Sequence, residues 1–127
     1  MNIEHMALWT TDLERLRQFY ETHFGAQAGA KYVNASKGFA SYFLTFAGGG
    51  ARLELMTKEG LGDAAAFPAP GYAHFALSTG SVTAVDDLTK RLRAQGVPVV
   101  DGPRWTGDGY YESVILDPDG NRVEITV

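Results

Sequence analysis

Hydrophobic and polar positions along the chain follow first the period of a strand and then that of a helix, and this order occurs twice. Residues 3–9 alternate in polarity, and residues 72–78 do so again. The first run is followed by a capping box at 11–14, which predicts the start of a helix, and by Gly25, which predicts its end. The second run is followed in the same way by the candidate N-cap Ser81 and by Gly96. The helical apolar positions are Leu13, Leu16, Tyr20 and Phe24 in the first case and Val82, Val85, Leu88 and Leu92 in the second. The pattern therefore predicts a strand and an amphipathic helix in each half of the chain.

Three strand-like runs follow each predicted helix. They are 31–34, 39–46 and 52–56 in the first half and 97–100, 110–116 and 122–127 in the second. Glycine-containing turns at 48–50 and 117–120 suit hairpin connections. We therefore predict an α+β fold of two tandem βαβββ modules within a single domain, 1–127. Module 1 covers about 1–59, a Gly-, Ala- and Pro-rich linker covers 60–71, and module 2 covers about 72–127.

Composition removes several classes of function. The chain has 127 residues, a formal net charge of −4 and no cluster of Lys and Arg, which argues against nucleic acid as a partner. The absence of cysteine excludes a disulfide framework, a thiolate nucleophile and a cysteine-based zinc site. The first residues lack the pattern of a signal peptide, and no apolar run is long enough to span a membrane. We expect a soluble cytoplasmic protein.

Overlaying the two halves aligns the residues with metal-binding side chains. His5 falls on His74, and Glu54 falls on Glu124, with similar neighbours on either side. Strand alternation places the apolar neighbours of these four residues on one face of the sheet, where the helices can cover it. The histidines and glutamates then lie together on the opposite face.

Two imidazoles and two carboxylates on one face suit a divalent cation, because buried charges need a partner or a metal. Nitrogen and oxygen ligands without sulfur are compatible with Zn, Ni or Co, and also with Mn or Fe. A single histidine on a strand is more often a hydrogen-bonded core or surface residue than a ligand. Four residues in repeat register favour one divalent metal ion per site, with positions left open for substrate.

These residues resemble the vicinal oxygen chelate superfamily, which contains glyoxalase I, ring-cleaving dioxygenases, fosfomycin-modifying enzymes and bleomycin-binding proteins. The resemblance covers essentially the whole chain and includes the DPDG turn at 117–120. It implies a cupped mixed sheet around a metal, with helices on the convex face. The implied metal ligands are His5, Glu54, His74 and Glu124, a set most similar to that of glyoxalase I.

The resemblance implies a lyase or isomerase like lactoylglutathione lyase, acting on a small oxygen-rich substrate. Glu124 would move a proton next to a carbonyl, with Glu54 as its counterpart. Trp9 stands where glutathione-using bacterial members carry arginine, so the use of glutathione stays open. Expected substrate-lining residues are Trp9, Tyr42, Met56 and Trp105. The resemblance also implies a homodimer in which each site takes ligands from two chains.

Two other functions stay open. One is a metal-dependent transferase of the fosfomycin type. The other is a non-catalytic protein that binds a small molecule without metal, as bleomycin-resistance proteins do. Arg52 and Arg122, each two residues before a predicted carboxylate ligand, could bind an anionic substrate or steady those carboxylates.

Overall fold

The computed structural model describes residues 1–62 and 70–127. The chain forms two compact units, Met1–Ala64 and Ala65–Val127. The predicted linker, 60–71, lies for the most part outside the described residues. None of the helices in the described part is both long enough and apolar enough to cross a membrane.

The first unit is a five-stranded mixed sheet with one helix. Its strands run in the order β1-β5-β4-β2, with β3 also paired to β4. The parallel pair β1 and β5 joins the start of the unit to its last strand. The elements are β1 (His5–Trp9), α1 (Leu13–Phe24), β2 (Gln27–Ala28), β3 (Tyr32–Asn34), a 3₁₀ turn (Ala35–Lys37), β4 (Phe39–Thr45) and β5 (Arg52–Lys58).

The second unit repeats this arrangement with four strands in the order β6-β9-β8-β7, and β6 pairs in parallel with β9. Its elements are β6 (Phe75–Ser78), α2 (Val82–Ala94), β7 (Val99–Trp105), β8 (Tyr111–Leu116) and β9 (Arg122–Thr126). A mixed sheet and one helix in each unit confirm the predicted α+β class.

Local side chains set the ends of both helices. Ser81 accepts a hydrogen bond from the Ala84 amide, as predicted for an N-cap, and Gly25 ends α1 with φ of 65°. The start of α1 is one residue later than the capping box predicts, because the carboxylate of Asp12 accepts the Arg15 amide. An acidic N-cap also suits the positive end of the helix dipole.

Each helix covers one face of its own sheet. Leu16, Leu44 and Leu55 are fully buried in the first unit, and Val85 and Ile125 are fully buried in the second. These residues come from a helix and from alternate positions of the strands, so the positions between them, which include Glu54 and Glu124, lie on the opposite face of each sheet. The fold therefore places the predicted ligand residues on the side of each sheet away from its helix.

Two details differ from the sequence prediction. The two-residue strand β2 has too little periodicity to be recognised, and it exists because Ala28 and Gln27 pair with β4. Strand β7 continues to Trp105, well past the predicted end at residue 100. Its pairing with β8 shifts register twice, around Asp101, where Gly102 has φ of 71°, so no regular alternation marks it in the sequence.

Candidate metal centre and active-site cavity

The register of the strands reproduces the internal repeat. Ala7 lies opposite Glu54 in the first unit, and Ala76 lies opposite Glu124 in the second. Each histidine lies two residues before its alanine and so belongs to the same face as its glutamate. His74 lies just before β6 rather than within it. The structure thus places His5 with Glu54 and His74 with Glu124 on equivalent positions of the two sheets.

The pair in the second unit is in direct contact. The Nε2 atom of His74 lies 3.2 Å from the Oε2 atom of Glu124. The Glu124 side chain is only 17% exposed, whereas that of His74 is 43% exposed. A carboxylate with so little access to water needs a hydrogen-bond partner or a cation, and the imidazole supplies the first of these. One imidazole nitrogen and one carboxylate therefore lie side by side in the lining of a cavity.

The cavity beside this pair has a volume of about 320 Å³ and is lined within the second unit alone. Glu112 on β8 lies opposite Thr126 and so shares the face of Glu124. Asp108 and Tyr110 reach the cavity from the turn between β7 and β8. Its lining is therefore strongly acidic, with one imidazole.

Sequence reasoning did not identify Glu112. Burial, and then the charge of Glu124, raise the pKa of its carboxyl, although Arg104 partly offsets this. The register of the last hairpin was the signal that could have found it. Leu116 pairs with Arg122 across the DPDG turn, and counting back along β8 puts Glu112 on the face of Glu124.

The DPDG turn fixes this register through one buried carboxylate. Asp117 is 4% exposed, and its Oδ1 atom accepts the amides of Asp119 and Asn121 at 3.0 and 2.9 Å. Gly120, with φ of 81°, donates its amide to the Asp117 carbonyl and provides the left-handed residue that closes the turn. Strand β9 is held at a defined register against β8, and Glu124 with it.

The first unit arranges its histidine differently. The Nδ1 atom of His5 lies 2.5 Å from Glu4 Oε2, and Arg52 binds the other oxygen of Glu4. Glu54 is half-buried on the same face, and within the described residues it accepts no hydrogen bond and forms no ion pair. Arg52 therefore neither steadies Glu54 nor projects freely as an anion-binding group.

Two of the four expected substrate-lining residues lie on the ligand side of the first sheet. Trp9 faces the same side as His5, is 46% exposed, and has the ring of Phe39 against it at 6.2 Å. Met56 follows Glu54 by two positions and pairs with Trp9. Both positions are compatible with a substrate-binding surface.

The other two expected lining residues, Tyr42 and Trp105, lie on the helix side of their sheets. The Tyr42 hydroxyl donates to Glu14 on α1 at 3.0 Å. The ring of Trp105 lies against that of Tyr111, tilted by 58° with the ring centres 5.1 Å apart, and the Tyr111 hydroxyl donates to Asp86 on α2. The Tyr42 hydroxyl thus bonds a helix residue directly, and Trp105 packs against a tyrosine that does so, which aromaticity alone does not predict.

Within neither unit do the described residues bring three or more His, Cys, Asp or Glu side chains together as a metal site. Each unit provides one histidine and one glutamate at equivalent positions. The chemistry of these donors, nitrogen and oxygen without sulfur, fits a divalent transition metal. The residues present are therefore compatible with a metal, as two half-sites.

Comparison with known proteins identifies the family. Residues 2–125 match the Glyoxalase/Bleomycin resistance protein/Dioxygenase superfamily, and the chain belongs to this family. An uncharacterized protein of Pseudomonas aeruginosa, PA2024, is 32% identical over 126 residues, which are 98% of this chain and 86% of that protein.

Solved structures share the fold at lower sequence identity. A glyoxylase/bleomycin resistance protein/dioxygenase domain from Frankia sp. EAN1pec matches with a TM-score of 0.85 and 20% identity, covering 100% of this chain and 97% of that one. The trypanothione-dependent glyoxalase I of Leishmania major matches with a TM-score of 0.80 and 22% identity, covering 99% and 86%. At this identity, the likeness concerns the fold alone.

Proposed function

We propose that this chain is a metal-dependent lyase or isomerase of the glyoxalase I type, which moves a proton within a small oxygen-rich substrate. The observation that carries the proposal is the contact of His74 with Glu124 at 3.2 Å beside a cavity of about 320 Å³. A carboxylate beside an imidazole in a cavity of this size can accept a proton from a substrate carbon and return it.

The residues that would hold the metal are His5, Glu54, His74 and Glu124. Support comes from the equivalent register of the two pairs and from Glu54, a half-buried carboxylate without a protein partner among the described residues. When bound, Zn, Ni or Co, or alternatively Mn or Fe, would supply Lewis-acid polarisation of substrate oxygens. One such ion per site is proposed.

The side chains of the cavity divide the remaining work. Glu124 carries the proton, with Glu54 as its counterpart in the other half-site. Glu112 presents a carboxyl whose pKa is raised by burial and by Glu124, so it is more readily protonated than an ordinary glutamate and can then donate a hydrogen bond to a substrate oxygen. Trp9 and Met56 provide the apolar surface on the side of His5.

Glutathione is not proposed as the thiol carrier. Trp9 lies on the ligand side of the first sheet, and the centre of its ring is 5.3 Å from Lys58 Nζ. The Trp9 side chain itself has only its indole N–H to donate to a carboxylate. The acidic lining of the second-unit cavity likewise disfavours a substrate with several carboxylates.

We propose a homodimer as the form that assembles the complete site. Each unit provides two of the four ligands, and a complete site needs one half-site of each kind. We place His5 and Glu54 of one copy with His74 and Glu124 of a second copy. A monomer at micromolar concentration that binds metal through all four residues would contradict this assignment.

The experiment is elemental analysis of protein purified without chelator or an affinity metal. We expect close to one Ni, Co or Zn per site in the parent protein and loss of that metal in the variant H74A. The matched control is H23A, because His23 lies on α1 with its ring against Phe19. E124Q should retain some metal but lose turnover of hemithioacetals formed from methylglyoxal and a series of thiols.

A metal-free binding protein of the bleomycin-resistance type is the second candidate. It is favoured by the observation that neither unit by itself groups three metal-binding side chains in its described residues. A parent protein that stays free of metal after addition of each ion, and that still binds a small aromatic compound in chelator, would establish this function and refute the enzyme.

A further inference from the structure

The carboxylate of Glu4, just before β1, contacts a ring nitrogen of His5. Its Oε2 atom lies 2.5 Å from His5 Nδ1. An ionised carboxylate only accepts hydrogen bonds, so Nδ1 must carry the proton in this contact. In a neutral imidazole the other nitrogen, Nε2, is then an acceptor with a free lone pair. The contact thus selects one of the two tautomers of His5.

Glu4 is itself held in place from two sides. The Arg52 amide donates to the Glu4 carbonyl at 2.9 Å, which continues the pairing of β5 with the chain before β1. The Arg52 guanidinium then binds Glu4 Oε1 through Nε at 2.7 Å and through Nη2 at 2.5 Å. Two donors on one oxygen leave the other oxygen for the imidazole.

An aromatic ring completes the arrangement. The Arg52 guanidinium lies 4.1 Å from the centre of the Phe43 ring, a cation–π distance. The same ring meets His5 edge-on at 5.4 Å. Phe43, Arg52, Glu4 and His5 therefore form a closed set of contacts across three neighbouring segments, β4, β5 and the start of β1. Each member is fixed by two others, although the set lies near the surface.

We propose that Glu4 is a positioning residue that holds His5 in its Nδ1–H tautomer, leaving Nε2 for a divalent metal ion, and that Arg52 acts by orienting Glu4. The part that concerns metal rests on the proposed function. Carboxylates that accept the second N–H of a ligand histidine fix the ring and raise its basicity. The two half-sites then differ, because Nε2 of His74 already faces Glu124.

The first measurement needs no metal. Long-range ¹H–¹⁵N spectra of the full-length, metal-free protein report which ring nitrogen carries the proton, at about pH 8, where free imidazole is neutral. The His5 signals are assigned with H5Q. We expect the Nδ1–H form in the parent and in the control E59A, an exposed glutamate outside the set. E4A should give a mixture of the two tautomers, and R52Q should move in the same direction.

The second measurement is zinc affinity by competition with a chromophoric chelator. E4A should bind Zn²⁺ at least tenfold more weakly than the parent and E59A, within the range of about 10–100-fold reported for such outer contacts. An unchanged His5 spectrum in E4A would overturn the proposal. A changed spectrum with unchanged zinc affinity would overturn the role in metal binding. A parent protein that binds none of the proposed ions, with the expected spectra, would instead refute the proposed function and leave the tautomer assignment established.

Discussion

A pair of buried hydroxyls in the second unit leads to a quantitative prediction. Thr89 on α2 and Ser113 on β8 are both fully buried, and their oxygens lie 2.6 Å apart. The Thr89 hydroxyl also donates to the Val85 carbonyl at 2.7 Å, which uses its single proton. Ser113 must therefore be the donor in the contact between the two hydroxyls.

Because Ser113 is the donor and Thr89 the acceptor, the two single substitutions should lower the free energy of unfolding by different amounts. T89V keeps the shape of the side chain but leaves the Ser113 hydroxyl without the acceptor it has now, which should cost about 1–3 kcal/mol of unfolding free energy. S113A leaves Thr89 bonded to Val85 and should cost about 0.5–1 kcal/mol. The double variant removes donor and acceptor together, and should cost less than the sum of the two by at least about 1 kcal/mol.

The assay is urea unfolding followed by tryptophan emission. In a W9F background the remaining tryptophan, Trp105, lies in the second unit and so reports on the unit that holds the substitutions. Equal slopes of free energy against urea would be required for the comparison. Costs that add to within about 0.5 kcal/mol, or a larger cost for S113A than for T89V, would refute the assigned direction.

Three further outcomes are expected. G102A should destabilise the second unit by more than about 2 kcal/mol, since Gly102 has φ of 71° and an added Cβ would lie 2.4 Å from a backbone oxygen of β8; G107A, with open space around it, is the control, and equal urea midpoints would contradict this reading. E112Q should stabilise the protein at pH 7, because the pKa of Glu112 is raised in the folded state and its contribution is lost as pH rises; a stability difference that does not shrink on acidification would argue against it. E14Q should destabilise at pH 7 by less than about 1 kcal/mol, because the Glu14 side chain is 45% exposed to water. Hydrogen bonds from Lys31 and Arg17 lower its pKa to about 2, so the stability difference should disappear as pH falls from about 4.3 through 2, and a difference that persists there would contradict this prediction.

Much of the fold could be predicted from the sequence because the spacing of apolar residues is similar in the two halves of the chain. The alternation around Glu54 and Glu124 gave the face on which they lie, since a strand allows only two directions for a side chain. The irregular part of β7 could not be predicted, because a bulge at Gly102 interrupts the alternation on which such predictions depend.

The candidate site was less predictable at its periphery. Tyr42 and Trp105 belong to the aromatic class that often lines pockets, but the Tyr42 hydroxyl bonds Glu14 on α1 and the Trp105 ring packs against Tyr111, both on the helix side. Glu4 carried no periodic signal at all, and its contact with His5 depends on Arg52, which is far away in the sequence. Contacts between side chains of this kind require the three-dimensional structure.

The parallel pairing of the first and last strand in each unit bears on when the candidate half-sites can form. His74 and Glu124 are 50 residues apart in the chain and are brought together by the pairing of β6 with β9. During synthesis, the two side chains can therefore meet only after β9 has left the ribosome and docked beside β6. Contacts between residues so far apart in the chain form late in folding. Under the proposed function, capture of the metal by this pair would follow that closure.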